Sequence, residues 1–270
     1  MAMRFRVTFL VLLLILAGSA LFAHQLFIKL DTFFLEPHSK VRVALLNGTF
    51  ALSENSITAD RVLDIAVAGS GDVSHLRPEE WDASGDTTFL ILETGDPGTY
   101  VLGVSTRSRL IELDAASFNE YLEHDGIGDV LERRRATGAL DEDAVERYSK
   151  HVKAVYQVGE SRSGGWDRSL GFPAEILPLT NPYELAVGDE LAVRCLVHGS
   201  PVTNQLVFAG GEYGGSAIVE RGGRTDDNGV VRLVFDRAGK WYVRFIHMVE
   251  TDEDGVDYES NWATLTFEVK

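Results

Sequence analysis

Four side chains carry donor chemistry suited to a late transition metal: His24, His247, Glu259 and His151. Imidazole binds such an ion through a neutral ring nitrogen, and carboxylate binds through oxygen. A histidine at the very start of a mature chain adds a third donor, because its α-amine and ring Nδ1 close a six-membered chelate once both are deprotonated. His24 meets that condition if a secretory leader is cut after Ala23. A cut after Ala20, where Gly18 obeys the small-residue rule better, leaves Leu21, Phe22 and Ala23 in front and removes the chelate.

His247 continues the alternation of Trp241, Val243 and Phe245, so a strand would project it from the same face as those core-type side chains. The acidic stretch Glu250, Asp252, Glu253, Asp254, Asp257 and Glu259 follows, and a return strand from Ala263 would bring Tyr258 to Trp262 beside it. Two readings of His247 stand together: a metal ligand next to carboxylates, or an enclosed structural histidine. If His24 and His247 meet, two rings and one amine favour copper, nickel and zinc over magnesium or calcium. Affinity then rises toward copper, so nickel selectivity would have to come from geometry or supply. Neither cut makes His24 the third residue, which the usual amino-terminal copper and nickel motif needs. His38, His75, His124 and His198 fall in predicted turns, where a solvated ring is the default.

The leader itself is Arg4 and Arg6, an apolar run from Val7 to Leu16, and the small residues Ala17, Gly18, Ser19 and Ala20. No stop-transfer charge cluster follows, so export is expected without a membrane span after cleavage. The whole chain has 25 basic and 41 acidic residues, a net charge of −16, and losing Arg4 and Arg6 leaves 23 against 41, or −18. Nucleic acid is therefore excluded as a partner, because its phosphates would be repelled. The lone Cys195 rules out an intramolecular disulfide framework. Alternation in Leu191, Val193, Cys195 and Val197 points its thiol into a core.

These donors must be held by elements, and the apolar spacing is mostly of period two. Leu26, Ile28 and Leu30, then Val41, Val43 and Leu45, Phe89 to Leu92, and Tyr100, Leu102 and Val104 predict an antiparallel β domain over 24–112. Asn47-Gly48 and Asp96-Pro97-Gly98 supply turns. Residues 113–160 read as a helical insert: one helix carries Phe118, Tyr121 and Leu122, and a second, capped by Asp141, carries Val145, Tyr148, Val152, Val155 and Tyr156 on one face with His151 at its edge. A glycine- and serine-rich linker, 161–170, precedes a second β domain over 171–270, whose strand and turn spacing is that of an immunoglobulin-like sandwich. The fold expected is mainly β: leader 1–23, two antiparallel β-sandwich domains, and a helical insert between them.

Several other patterns lack the parts their chemistry requires. Asp226-Asp227-Asn228-Gly229 lacks the rest of a calcium loop, and Ser161-Arg162-Ser163-Gly164-Gly165 lacks the lysine of a phosphate loop. No nucleophile elbow of the form Gly-x-Ser-x-Gly occurs.

The Ala23-His24 start, Phe118-Asn119-Glu120-Tyr121-Leu122, Arg147-Tyr148-Ser149-Lys150, the run Gly171 to Tyr183, His247-Met248 and the ending Glu259 to Val269 resemble a periplasmic family of domains of unknown function, number 4198, associated with nickel uptake. The resemblance covers nearly the whole chain. It implies a bacterial exported protein of two β domains that handles nickel or a related metal, with a membrane metal transporter as a partner. The expectation is thus a non-catalytic periplasmic metal-binding protein, with nickel or copper on His24 and His247 and with Glu259 and His151 in support. Two rival readings are a sandwich module for a protein or sugar partner, with Trp166 or Trp81 exposed on an edge, and a copper redox enzyme using the two histidines as a brace.

Overall fold

The computed structural model describes residues 24–77 and 81–270, so the leader expected over 1–23 lies outside the described residues. Among the described residues, eighteen strands and two α-helices follow in chain order. The first half holds β1 (Gln25–Lys29), β2 (Phe34–Leu35), β3 (Lys40–Gly48), β4 (Val62–Ala68), β5 (Val73–His75), β6 (Trp81–Ser84), β7 (Thr87–Glu93), β8 (Gly98–Thr106) and β9 (Arg109–Leu113). Helices α1 (Ala115–His124) and α2 (Gly128–Thr137) lead into β10 (Ala144–Val158). The second half holds β11 (Ala174–Pro178), β12 (Glu190–Val197), β13 (Ser200–Pro201), β14 (Leu206–Tyr213), β15 (Ser216–Arg224), β16 (Val230–Val234), β17 (Gly239–Glu250) and β18 (Tyr258–Val269).

The fold is mainly β, as the two-residue periodicity predicts, and its strands form three sheets. A ten-stranded sheet contains the order β15-β14-β17-β18-β10-β8-β4-β5, with β2 and β9 also paired to β10. A four-stranded sheet β1-β3-β7-β6 packs on one face of it. There Thr264 and Thr266 of β18 donate to the carbonyls of Leu26 and Ile28 in β1. The sheet of β11, β12, β13 and β16 packs on the other face, where the buried ion pair Lys153–Glu175 and the bond from Tyr183 to the Val155 carbonyl join the layers. Strand β10 is therefore covered on both sides.

That double burial overturns the predicted second helix over Asp141–Tyr156. Residues 144–158 form one long strand, parallel to β18 and antiparallel to β8 and β9. A strand buried on both faces loses the in-out alternation that marks an ordinary strand. Here Ser149, Lys150, His151, Lys153 and Gln157 are also buried, and in the sequence they mimic the wet side of an amphipathic helix. The helical part of the insert is α1 and α2 alone. The ten-stranded sheet also runs across the expected division at 161–170, because β10 and β8 from one half share it with β17 and β18 from the other.

Helix α1 forms as its sequence predicts. Asp114 caps it by accepting from the Ser117 amide at 2.8 Å, and Phe118, Tyr121 and Leu122 are its buried stripe. They pack with Ile127 and Val130 onto Ile246, Met248, Tyr258 and Trp262, on the same face of the large sheet as β1. Gly138 ends α2 in the left-handed conformation. Cys195 is fully buried and its thiol is pushed up by burial, as the alternation around it implies. Among the described residues no helix is long and apolar enough to cross a membrane.

Candidate functional site

Paired residues on neighbouring strands share a face, and successive residues alternate. Glu146, Tyr148 and Lys150 of β10 pair with Tyr258, Ser260 and Trp262 of β18, so these six side chains project to the β1 side of the large sheet. Four of them, Glu146, Tyr148, Lys150 and Trp262, floor a cavity of about 350 Å³ between the start of β1, helix α1 and the loop before β4. Its volume is at the small end of the range for ligand sites, roughly 300–1,000 Å³.

Lys150 lines it from the floor. The ammonium donates to the carbonyl of His24 and, at 3.4 Å, to Asn47 Oδ1, and it lies 5.0 Å from the Trp262 ring centre. Burial is the main reason its pKa falls to about 8, and neighbouring Arg61 adds to the fall. Arg61 comes from the single turn Ala59–Arg61 ahead of β4, and its guanidinium sits 5.1 Å over the Tyr148 ring. Both cations are more than nine-tenths buried. Arg61 Nη1 is a buried donor with no partner among the described residues.

Glu146 supplies the carboxyl of the cavity. Tyr121 donates to its Oε1 at 3.1 Å, Ser260 donates to the same oxygen, and Trp262 Nε1 donates to Ser260 at 2.9 Å. Burial dominates and lifts the Glu146 pKa to about 7 in spite of those donors. Tyr121 stacks on Trp262 with ring centres 6.1 Å apart. Ile57, Ile111 and Leu113 complete an apolar part of the wall.

The four residues predicted as ligands divide between the two faces of the large sheet. His24 lines the cavity, with Nδ1 3.4 Å from Glu54 Oε2. His247 pairs with Asn261, and Asn261 pairs with Ser149, so all three point to the face opposite Lys150 and Trp262. The structure does not bring His24 and His247 together. Their predicted convergence fails because they sit against opposite sides of one sheet.

On that opposite face, Glu259 and His151 join in a chain of hydrogen bonds. Asn261 Nδ2 donates to Glu259 at 3.3 Å, which turns its Oδ1 to receive the Ser149 hydroxyl at 3.0 Å. With its proton committed, Ser149 accepts from His151 Nε2 at 2.9 Å, and His151 Nδ1 accepts from Ser105 at 2.9 Å. His151 is thus a neutral, buried structural histidine whose one lone pair is used, and burial holds its pKa at about 4. This differs from its predicted place on a helix edge. His247 is half-buried, bonded through Nδ1 to Gln205 Oε1 at 3.1 Å, and burial lowers its pKa. Among the described residues no group of three or more His, Cys, Asp or Glu side chains is gathered as for a metal ion.

The sequence reading passed over Lys150, Arg61, Glu146, Tyr148, Tyr121 and Trp262 as site residues. In a helix Glu146 and Lys150 stand four apart, an ordinary solvated pair. In a strand they flank Tyr148 on one face, and two charges on a strand that must be central are the signal that was there to read.

A family model with the description "Domain of unknown function (DUF4198)" matches residues 21–249. No curated protein matches the chain. Among solved structures, the D0-D1 domain of intimin aligns at 11% identity over 90% of this chain and 97% of that one, with a TM-score of 0.21. Trypsin-activated alpha-2-macroglobulin from Escherichia coli aligns at 11% identity over 93% of this chain and 16% of that one, TM-score 0.23. A tetra-tandem repeat from the extending region of a large adhesion protein aligns at 12% identity over 91% and 49%, TM-score 0.24. Likenesses at this level assign neither fold nor function.

Proposed function

The chain belongs to the DUF4198 family of domains of unknown function, and we propose that it is an exported, non-catalytic binding protein that holds a small ligand in the cavity beneath His24. One observation carries the reading. A cavity of ligand size is built on the two central strands, and its floor consists of buried charged and aromatic side chains that a purely structural interior would not need. Export to the periplasm, with or without a membrane transporter as the recipient, is part of the same proposal and rests on the leader pattern of Arg4, Arg6 and Val7 to Leu16.

The test is a thermal-shift screen of organic acids, amines, sugars and divalent metal salts. It is run on the mature chain and on Asn55→Trp, which plugs the mouth from an exposed position on the rim. At least one compound should raise the melting temperature of the native chain and raise it less in the plugged variant. Silence across the panel, or shifts indifferent to Asn55→Trp, would remove the cavity reading.

Nickel, cobalt or copper capture is a second reading, favoured by the approach of His24 Nδ1 to Glu54 Oε2 at the cavity mouth. It needs the α-amine of His24 as a further donor, so it needs cleavage after Ala23. Mass spectrometry of the exported chain fixes the cut. Titration of that species with nickel and copper, beside a version with one extra leading residue, should show weaker binding in the extended form. Equal affinities would dismiss this reading.

A further inference from the structure

Among the described residues outside the cavity, two buried cations have a carboxylate partner and a third spends its protons on three neutral oxygens. Lys153 has Glu175 at 3.2 Å, Arg244 has Glu220 at 2.7 Å, and Arg134 gives its protons to Asn119, Tyr258 and the Glu142 carbonyl. The cavity differs in gathering two buried cations in one place with no carboxylate in an ion pair with either. Lys150 meets only neutral oxygens, from His24 and Asn47, and Arg61 keeps a guanidinium donor unmatched among the described residues. Arg109 adds a third, exposed cation to the lining, with Asp60 at 3.8 Å. The one carboxyl among the described lining residues, Glu146, accepts from Tyr121 and Ser260, and Lys150 acts on it through space without a hydrogen bond.

We infer that the cavity is a receptor for a small organic carboxylate, whose anionic group lies between Lys150 and Arg61 and whose body rests against Tyr148, Trp262 and the apolar wall. This deepens the cavity reading above and rests on it. Desolvated cations without an ion-pair partner are costly, and an anion entering between them replaces lost hydration with charge-assisted hydrogen bonds. The net charge of −16 makes the contrast sharper, because the surface repels anions in general while this concave site attracts them. Guanidinium geometry suits the two oxygens of a carboxylate, and the limited volume selects a compact mono- or dicarboxylate over a polymer. Tyr121, Tyr148 and Trp262 supply the flat apolar surface that an aromatic or branched body would use.

The mature full-length chain, without any substitution, is enough for the deciding experiment. Benzoate, benzamide and benzylammonium have nearly the same shape and differ in charge, and succinate tests a dicarboxylate. Binding is followed by calorimetry and by the indole N–H resonance of Trp262. A carboxylate should bind at least roughly tenfold more tightly than benzamide, and benzylammonium should not bind. Lys150→Met, checked for a native circular dichroism spectrum, should lose roughly tenfold or more for the carboxylate and nothing for the amide. Arg61→Lys keeps the charge and should lose less than Lys150→Met. Benzamide or benzylammonium binding as well as both carboxylates would overturn the anion inference and leave the cavity reading intact. Failure of both carboxylates in the millimolar range would also overturn it, and if the thermal-shift panel is silent too, the cavity reading falls with it.

Discussion

The ammonium of Lys150 donates to the backbone carbonyl of His24, so the middle of the central strand grips the residue that leads into β1. The contact is one of three in a row. Strand β1 pairs with β3 on one side only, and its outward carbonyls at residues 24, 26 and 28 are taken by Lys150, Thr264 and Thr266. An edge strand whose free carbonyls are buried, as those of Leu26 and Ile28 are, needs such donors, because the large sheet lies over it.

Thr264→Val and Thr266→Val keep the side-chain shape and leave one buried carbonyl unanswered each. Both threonines are almost fully buried, at 2% and 0% exposure. Each substitution should cost about 1–3 kcal/mol in urea unfolding, with faster amide exchange in β1 than in β12. A loss below a few tenths of a kcal/mol for both would mean that these bonds do not hold the layer.

Glu146 makes stability depend on pH in a direction opposite to the usual carboxylate. Its folded pKa is raised to about 7 from 4.5, so the folded chain holds the proton more tightly than the unfolded one. Its contribution is full below pH 4.5 and is lost as pH rises through 7. His151, lowered to about 4 from 6.5, acts in reverse and adds stability as pH rises from 4 to 6.5, which masks part of the trend in the native protein. Subtraction separates them. The stability of Glu146→Gln minus that of the native chain should grow by up to about 3 kcal/mol between pH 4.5 and 7, measured by denaturant titration. A difference flat across that window would contradict the burial of this carboxyl.

What the sequence disclosed of this molecule follows from what each residue faces. Strands wet on one side, such as β3 and β7, betray themselves by alternation, and α1 does so by its Asp114 cap and the stripe of Phe118, Tyr121 and Leu122. Strand β10 has no wet side, and buried Lys150, His151 and Lys153 disguised it as an amphipathic helix. The cavity was lost with it, because Glu146, Tyr148 and Lys150 share a face only in an extended chain. His24 was found as a candidate from its place beside the leader, and it does line the cavity. Its distance from His247 was invisible, since strand pairing between residues more than a hundred positions apart decides which face each one takes.

Placing His24 and His247 on opposite faces has a consequence for metal titrations. His247→Ala should leave nickel and copper affinity of the mature chain unchanged, while His24→Ala should reduce any affinity present. Calorimetry on both variants checks this, and an equal fall in the two would mean that the rings share an ion after all.

The ion pair of Lys153 and Glu175 ties the linker to the large sheet. Glu175 accepts from Lys153, from the Leu170 amide at 2.7 Å and from Ser169 at 2.5 Å, and Lys153 also donates to the Arg168 carbonyl at 3.0 Å. Both side chains are buried, so removing one charge strands the other without water. Glu175→Leu alone should destabilise by about 3–5 kcal/mol and free Ser169 and Leu170 for faster amide exchange. Lys153→Met with Glu175→Leu removes both charges at similar volume, and its cost should be clearly smaller than that of Glu175→Leu, because the penalty comes from an unmatched charge and not from the missing attraction. Urea denaturation of the native chain, the two single variants and the double variant completes the cycle. If the double variant were the least stable of the four, the pair would be a net source of stability beyond the cost of burying it, and the linker would owe its path to that attraction.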